Sequence, residues 1–128
     1  MKLATLEGLG ETTVRPGVTR RVFTGDRATL AFTTLDPGHT ANPHSHPHEQ
    51  IVYILSGSAR FVVGDEETVL GAGDMLVVPP GVEHFAETLG EEPVVDLSVF
   101  GPRRDEYAAE EAIDGAPAAT PRRGGPSA

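Results

Sequence analysis

GHTANPHSHPHEQIVYILSG, residues 38–57, and GDMLVVPPGVEHF, residues 73–85, hold all five histidines of the chain. In the first stretch, HSHPHEQ (44–50) packs three histidines, a glutamate and a glutamine into seven residues. Residues two apart on a strand share a face, with Cα atoms about 6.6 Å apart. His44 and His46 can therefore point at one metal ion, whose bonds to nitrogen are about 2.0–2.1 Å for zinc. A straight strand from His44 to Gln50 would span roughly 20 Å, too far for one ion. If Gln50 contributes, the chain must turn between 46 and 50, and Pro47, unable to donate to a ladder, sits where that turn is needed. In the second stretch Gly73 opens a strand, Pro79-Pro80-Gly81 makes a rigid turn, and His84 follows it, 38 residues after His46.

Outward from these stretches, the chain reads as short apolar or alternating runs. TRRVFT (19–24) meets a turn at Gly25-Asp26, and ATLAFTTL (28–35) runs into Asp36-Pro37-Gly38. IVYIL (51–55), ARFVV (59–63), TVL (68–70), MLVV (75–78) and VVDLSVF (94–100) each end at a Gly- or Pro-bearing turn. Turn signals at this spacing, with β-branched and aromatic residues between them, predict an all-β sandwich or small barrel. Only RDEYAAEEA (104–112) reads as helical, short and surface-exposed. Residues 1–18 are expected as an N-terminal arm against the body, 19–112 as the domain, and the Pro-, Gly- and Ala-rich 113–128 as a disordered tail. IVYIL is apolar on both faces. One face can line a barrel, and the other calls for a second layer or a subunit interface, so a homodimer is expected.

Bulk properties exclude several classes. The 128 residues suffice for one core, and the net charge of −9 disfavours nucleic acid and anionic membranes as partners. With no cysteine, disulfides and thiolate metal sites are excluded. There is no 18-residue apolar run and no leader-like apolar segment, so a cytoplasmic location is expected.

The two stretches resemble the paired motifs of a small single-domain cupin, Gly-x5-His-x-His-x3–4-Glu-x6-Gly and Gly-x5-Pro-x-Gly-x2-His-x3-Asn. Here they read Gly38, His44, His46, Gln50 in the Glu slot and Gly57, then Gly73, Pro79, Gly81, His84 and Thr88 in the Asn slot. The resemblance spans roughly residues 20 to 105. It implies a double-stranded β-helix (a jelly-roll barrel) and one divalent metal ion (Zn, Mn, Fe, Co or Ni) on His44, His46, Gln50 and His84. Gln in place of Glu keeps an oxygen donor but removes a negative charge, which leaves the ion more electrophilic and its water more acidic. His48 reads as a turn or supporting residue, His39 as a solvent-facing loop residue and Glu83 as a surface charge.

HSHPHEQIVYILSG, GDMLVVPPGVEH and FGPRRDEY together are similar to the cupins of pectin and alginate breakdown that open unsaturated uronates to linear keto acids. Phe100, Pro102 and Arg104 match that group's closing segment. Its substrate-facing Asp, two before the Phe, is Ser98 here, with Asp96 two residues further back. The resemblance implies Arg104, Asp96 and Ser98 as catalytic candidates and Phe100 and Phe85 as substrate-binding ones. The expected function is a metal-dependent isomerase, lyase or cyclase acting on a sugar acid or other carbonyl compound. Three alternatives stay open. One is a polyketide cyclase with a pocket lined by residues such as Phe32, Val52, Ile54 and Phe61; the others are a dioxygenase and a non-catalytic ligand-binding cupin.

Overall fold

The structure, a computed structural model, describes residues 1–122. Nine strands and one helical turn follow in order: β1 (Glu11–Arg15), β2 (Val18–Thr24), β3 (Thr29–Leu35), β4 (Glu49–Ser56), β5 (Ser58–Val63), β6 (Glu66–Gly71), β7 (Met75–Val78), β8 (His84–Leu89), β9 (Val94–Gly101) and α1 (Asp105–Ala108). They form a six-stranded sheet, β1-β2-β3-β9-β4-β7, and a three-stranded sheet, β6-β5-β8. Every ladder is antiparallel. This is the all-β double-stranded helix that the motifs imply.

Strand alternation divides inside from outside. Along β9, Val94, Asp96, Ser98 and Phe100 are buried, while Val95, Leu97 and Val99 face the other way and are half-covered. Both sheets contribute to one apolar core: Val18, Leu35, Val52, Ile54, Val78 and Val94 from the larger, Ala59, Phe61 and Leu70 from the smaller. Each fully buried Val, Leu, Ile or Phe contributes about 1.5–3 kcal/mol. The core lies toward Ile54 on β4 and Val94 on β9. Toward the opposite ends of the same strands stand Gln50 and Phe100, which are register partners. One end of the barrel is thus packed with hydrocarbon and the other is furnished with polar groups.

Turns hold the register. At Gly57, between β4 and β5, φ is +81°, and a Cβ would lie 2.5 Å from the Pro93 carbonyl oxygen and 2.9 Å from Val94 Cα. Only glycine fits so close to that backbone.

The two chain ends meet. The 1–18 arm supplies β1, paired with β2. Leu9 bridges Ile113, and the Asp114 N–H donates to the Gly8 carbonyl at 2.8 Å, so the first residues of the expected tail are tied to the arm. Residues 123–128 of that tail lie outside the described residues. RDEYAAEEA forms a single helical turn, Asp105–Ala108. The glutamates beyond it are drawn into tertiary pairs: Glu110 chelates the Arg20 guanidinium, and Glu111 accepts from Lys2 and the Thr24 N–H. Tertiary pairing here outweighs helix propensity. No described helix is long and apolar enough to cross a membrane.

Candidate metal centre

Three histidines from two distant segments converge. His44, His46 and His84 each offer a ligand nitrogen, and these atoms lie within 4.8 Å of one another. His44 and His46 come from the segment before β4, and His84 is the first residue of β8.

The backbone sets the tautomer of each ring. Nδ1 of His44 donates to the Asn42 carbonyl at 2.6 Å, that of His46 to the His48 carbonyl at 3.0 Å, and that of His84 to the Val82 carbonyl at 2.8 Å. A carbonyl oxygen only accepts, so each Nδ1 carries the proton and each Nε2 keeps its lone pair. His84 Nε2 is buried with no hydrogen-bond partner. His46 Nε2 stands 3.1 Å from Gln50 Oε1, an arrangement of two acceptors with no proton between them. Orphaned, converging lone pairs are what a cation requires, and second-layer carbonyls on the far ring nitrogen are how ligand histidines are normally held. The donor set therefore fits a divalent metal ion. Burial reinforces the neutral state: it holds the His84 ring well below its ordinary value, to about 4, helped by His44, His46 and Arg104 nearby. Burial, then the Arg104 charge, lowers His46 as well.

Gln50 reaches into a chain of hydrogen bonds. Its Nε2 donates to Ser98 Oγ at 3.0 Å, and Ser98 Oγ donates to Asp96 Oδ1 at 2.9 Å. Asp96 is 6% exposed, and burial pushes its carboxyl up to about 7, with the Ser98 bond opposing.

Gln50, Ser98, Asp96, His44 and His84 share a cavity of about 110 Å3 with Arg15, Arg20, Phe100, Arg104 and Tyr107. The Arg104 guanidinium lies 4.9 Å from the Phe100 ring centroid and 3.9 Å from that of Tyr107. Its Nε donates to Glu106, while Nη1 is buried and has no partner. Glu106 is lowered although partial burial is the largest single influence and opposes it: the Arg104 bond, a backbone N–H bond and the Arg104 charge together outweigh that cost. A planar guanidinium with an unused, desolvated N–H suits a carboxylate.

Phe100 packs edge-on to His46, centroids 5.5 Å apart. Phe85 borders the same cavity, but it follows His84 directly and so stands on the other face of β8, where the Arg60 guanidinium is 5.6 Å from its ring. His48 is buried and supports His46 through its carbonyl. His39, expected in solvent, is half-buried, and its Nε2 accepts from the Thr88 N–H at 3.3 Å. Glu83 is exposed.

Sequence reasoning misses Arg20 and Tyr107. The Arg20 guanidinium sits 3.8 Å from the Tyr107 centroid, so Tyr107 is flanked by two guanidiniums. No spacing rule links residues 87 positions apart; they meet because the C-terminal turn folds back over β2.

Comparison with known proteins agrees with this geometry. Residues 31–100 match the Cupin_2 family, described as a cupin domain. The chain is 37% identical over 84 residues to oxalate decarboxylase OxdC of Bacillus subtilis (strain 168), covering 61% of this chain but only 21% of that protein. It therefore spans about a fifth of OxdC. It is 31% identical over 101 residues to the tetracenomycin polyketide synthase protein TcmJ of Streptomyces glaucescens, covering 75% of this chain and 68% of TcmJ. Among solved structures, KdgF from Halomonas sp. superposes with a TM-score of 0.75 at 27% identity, over 83% of this chain and 99% of that one. With the motifs, the barrel and the histidine triad all in agreement, the chain belongs to the cupin family, as a small cupin similar to KdgF.

Proposed function

We propose that this protein is a metal-dependent enzyme that opens or isomerises a small carboxylated sugar acid. The observation carrying this reading is that His44 and His84 of the three-histidine cluster line one small cavity together with Arg104, whose Nη1 is unpartnered. A divalent ion held by the three histidines and the Gln50 oxygen would supply a Lewis acid for a carbonyl or hydroxyl oxygen. The chain's own residues do the rest. Arg104, stacked between Phe100 and Tyr107, takes the substrate carboxylate, and Phe100 packs against the sugar face. Asp96 takes and returns a proton through the Ser98 hydroxyl; a carboxyl raised to about 7 is suited to both directions near neutrality. The similarity to KdgF and to the pectin and alginate cupins supports an unsaturated uronate as substrate. Incubating the metal-loaded protein with unsaturated galacturonate or mannuronate tests this: the conjugated ultraviolet band should disappear without oxygen uptake. A persistent band would sink the substrate assignment, and oxygen uptake would turn the reading to a dioxygenase.

The TcmJ similarity favours a second reading, cyclisation of an aromatic polyketide. Arg15, Arg20 and Arg104 line the cavity, which argues for a compact anion instead. Turnover of a poly-β-keto thioester mimic with no turnover of uronates would reverse the order. The homodimer belongs to the same proposal. Ile51, Leu55, Met75 and Val77 expose their side chains on β4 and β7, and sedimentation analysis tests whether a second copy covers them.

A further inference from the structure

We propose that Ser98 and Asp96 are positioning residues that decide which end of the Gln50 amide faces the histidines. This rests on the reading of the histidine cluster as a metal centre. The two ends of a glutamine amide are nearly equal in size and opposite in chemistry, because the oxygen can ligate a cation and the NH2 cannot. Nothing in the shape of the side chain chooses between them. The hydrogen-bond chain does.

Ser98 has one proton, and Asp96, when ionised, can only accept. The carboxylate therefore claims that proton across the 2.9 Å contact. Ser98 Oγ is left as an acceptor toward Gln50, and only the amide NH2 can satisfy it, at 3.0 Å. Gln50 Oε1 is thereby directed at His46 Nε2. With Asp96 ionised, turning the amide over leaves two bad choices. Either two oxygens confront each other without a proton, or Ser98 gives its proton to Gln50 and abandons a buried carboxylate. With Ser98 at 3% and Asp96 at 6% exposure, solvent does not make good the loss. The strand register builds the device. Asp96 and Ser98 are successive inward residues of β9. Gln50 on β4 lies diagonal to Ser98, whose direct partner is Val52, within reach of a long side chain.

The test is Co2+ binding to the metal-stripped full chain, followed by the visible ligand-field spectrum. Ser98→Ala and Asp96→Asn, whose amide can donate to Ser98 as well as accept, should each weaken binding by about ten- to a hundredfold, the usual effect of losing an outer hydrogen bond to a ligand. Ser98→Thr, which keeps the hydroxyl, should bind as wild type does. In Gln50→Glu both ends are oxygen, so adding Ser98→Ala to it should leave affinity unchanged. A Ser98→Ala protein with wild-type affinity and spectrum overturns the proposal. So does an equal loss in the Gln50→Glu background, which would make Ser98 merely structural. A wild-type chain that takes up no cobalt sinks the metal reading itself, a result distinguishable from either.

Discussion

His44 and His84, forty residues apart in the chain, are hydrogen-bonded to each other main chain to main chain. The His44 N–H donates to the His84 carbonyl at 3.2 Å, and the His84 N–H donates to the His44 carbonyl at 2.9 Å. This two-residue bridge stands outside the regular ladders. It ties the two motif segments together at the residues that hold the cluster, so the site is assembled by backbone bonds before any ion arrives.

Metal removal should consequently leave the fold intact. Chelator-treated protein is expected to keep its far-ultraviolet β signal and to melt cooperatively at a lower temperature. Returning metal at a hundred times its Kd should restore about 2.7 kcal/mol by mass action. His44→Ala should show no metal-dependent rise in Tm. A chelated protein without a cooperative transition would contradict a preformed site.

Stability against pH should reveal two opposed groups. Unfolded His84 takes up a proton near 6.5 but folded His84 only near 4, so its contribution is lost as pH falls through that window. Asp96 runs the other way: folded, it keeps its proton up to about 7, and unfolded it releases it near 3.8. Its burial thus costs stability increasingly as pH rises across the same range. In metal-free wild type the two slopes oppose each other. Asp96→Asn should be more stable than wild type at about pH 8, with the advantage vanishing near pH 4, the lower end of the Asp96 window. Thermal melts at stepped pH measure it, and parallel curves for variant and wild type would refute the buried-carboxylate assignment.

Arg104→Lys should raise KM for a uronate by about tenfold or more while changing kcat less, because an ammonium cannot reproduce the planar, stacked donor. Calorimetry of the metal-loaded protein with a saturated uronate, which has no double bond to act on, gives the same comparison without turnover. Equal affinity in the variant would move the carboxylate contact to another residue, with Arg15 the next candidate on the cavity wall.

Gly57→Ala should cost at least about 2 kcal/mol, since the positive φ alone disfavours a side chain by about 1–2 kcal/mol and its Cβ would press on the Pro93–Val94 backbone. Denaturant melts would show a lower midpoint at unchanged slope. Gly73→Ala is the control: its φ is also positive, but its Cβ meets nothing within 4 Å. It should lose only the conformational part.

Much of this was legible in the chain. MLVV at 75–78 coincides with β7, and TRRVFT, IVYIL, ARFVV and VVDLSVF fall within β2, β4, β5 and β9, because alternation and turn residues are local signals. His44, His46 and His84 cluster, and Gln50 Oε1 lies beside His46; strand spacing alone paired only His44 with His46, and the family resemblance pointed to the other two. β1 and β8 went unread: ETTVR and HFAETL are too polar to announce themselves, and they become strands through partners supplied from elsewhere. The direction of the Gln50–Ser98–Asp96 chain could not be read either, since it depends on cross-strand register and on which atom keeps a proton. Arg20 and Tyr107 meet through a fold-back that leaves no trace in spacing.

The inward row of β9 works like a ruled scale. Moving a residue by two positions keeps it in the cavity and shifts it by about 6.8 Å; moving it by one takes it out. The carboxylate at Asp96 and the hydroxyl at Ser98 occupy adjacent marks on that scale. Exchanging what stands at those marks would rearrange the polar groups beside the histidine cluster without disturbing a turn, a ladder bond or the hydrocarbon end of the barrel. In such a strand, new chemistry is reached by even-numbered steps while the scaffold stays the same.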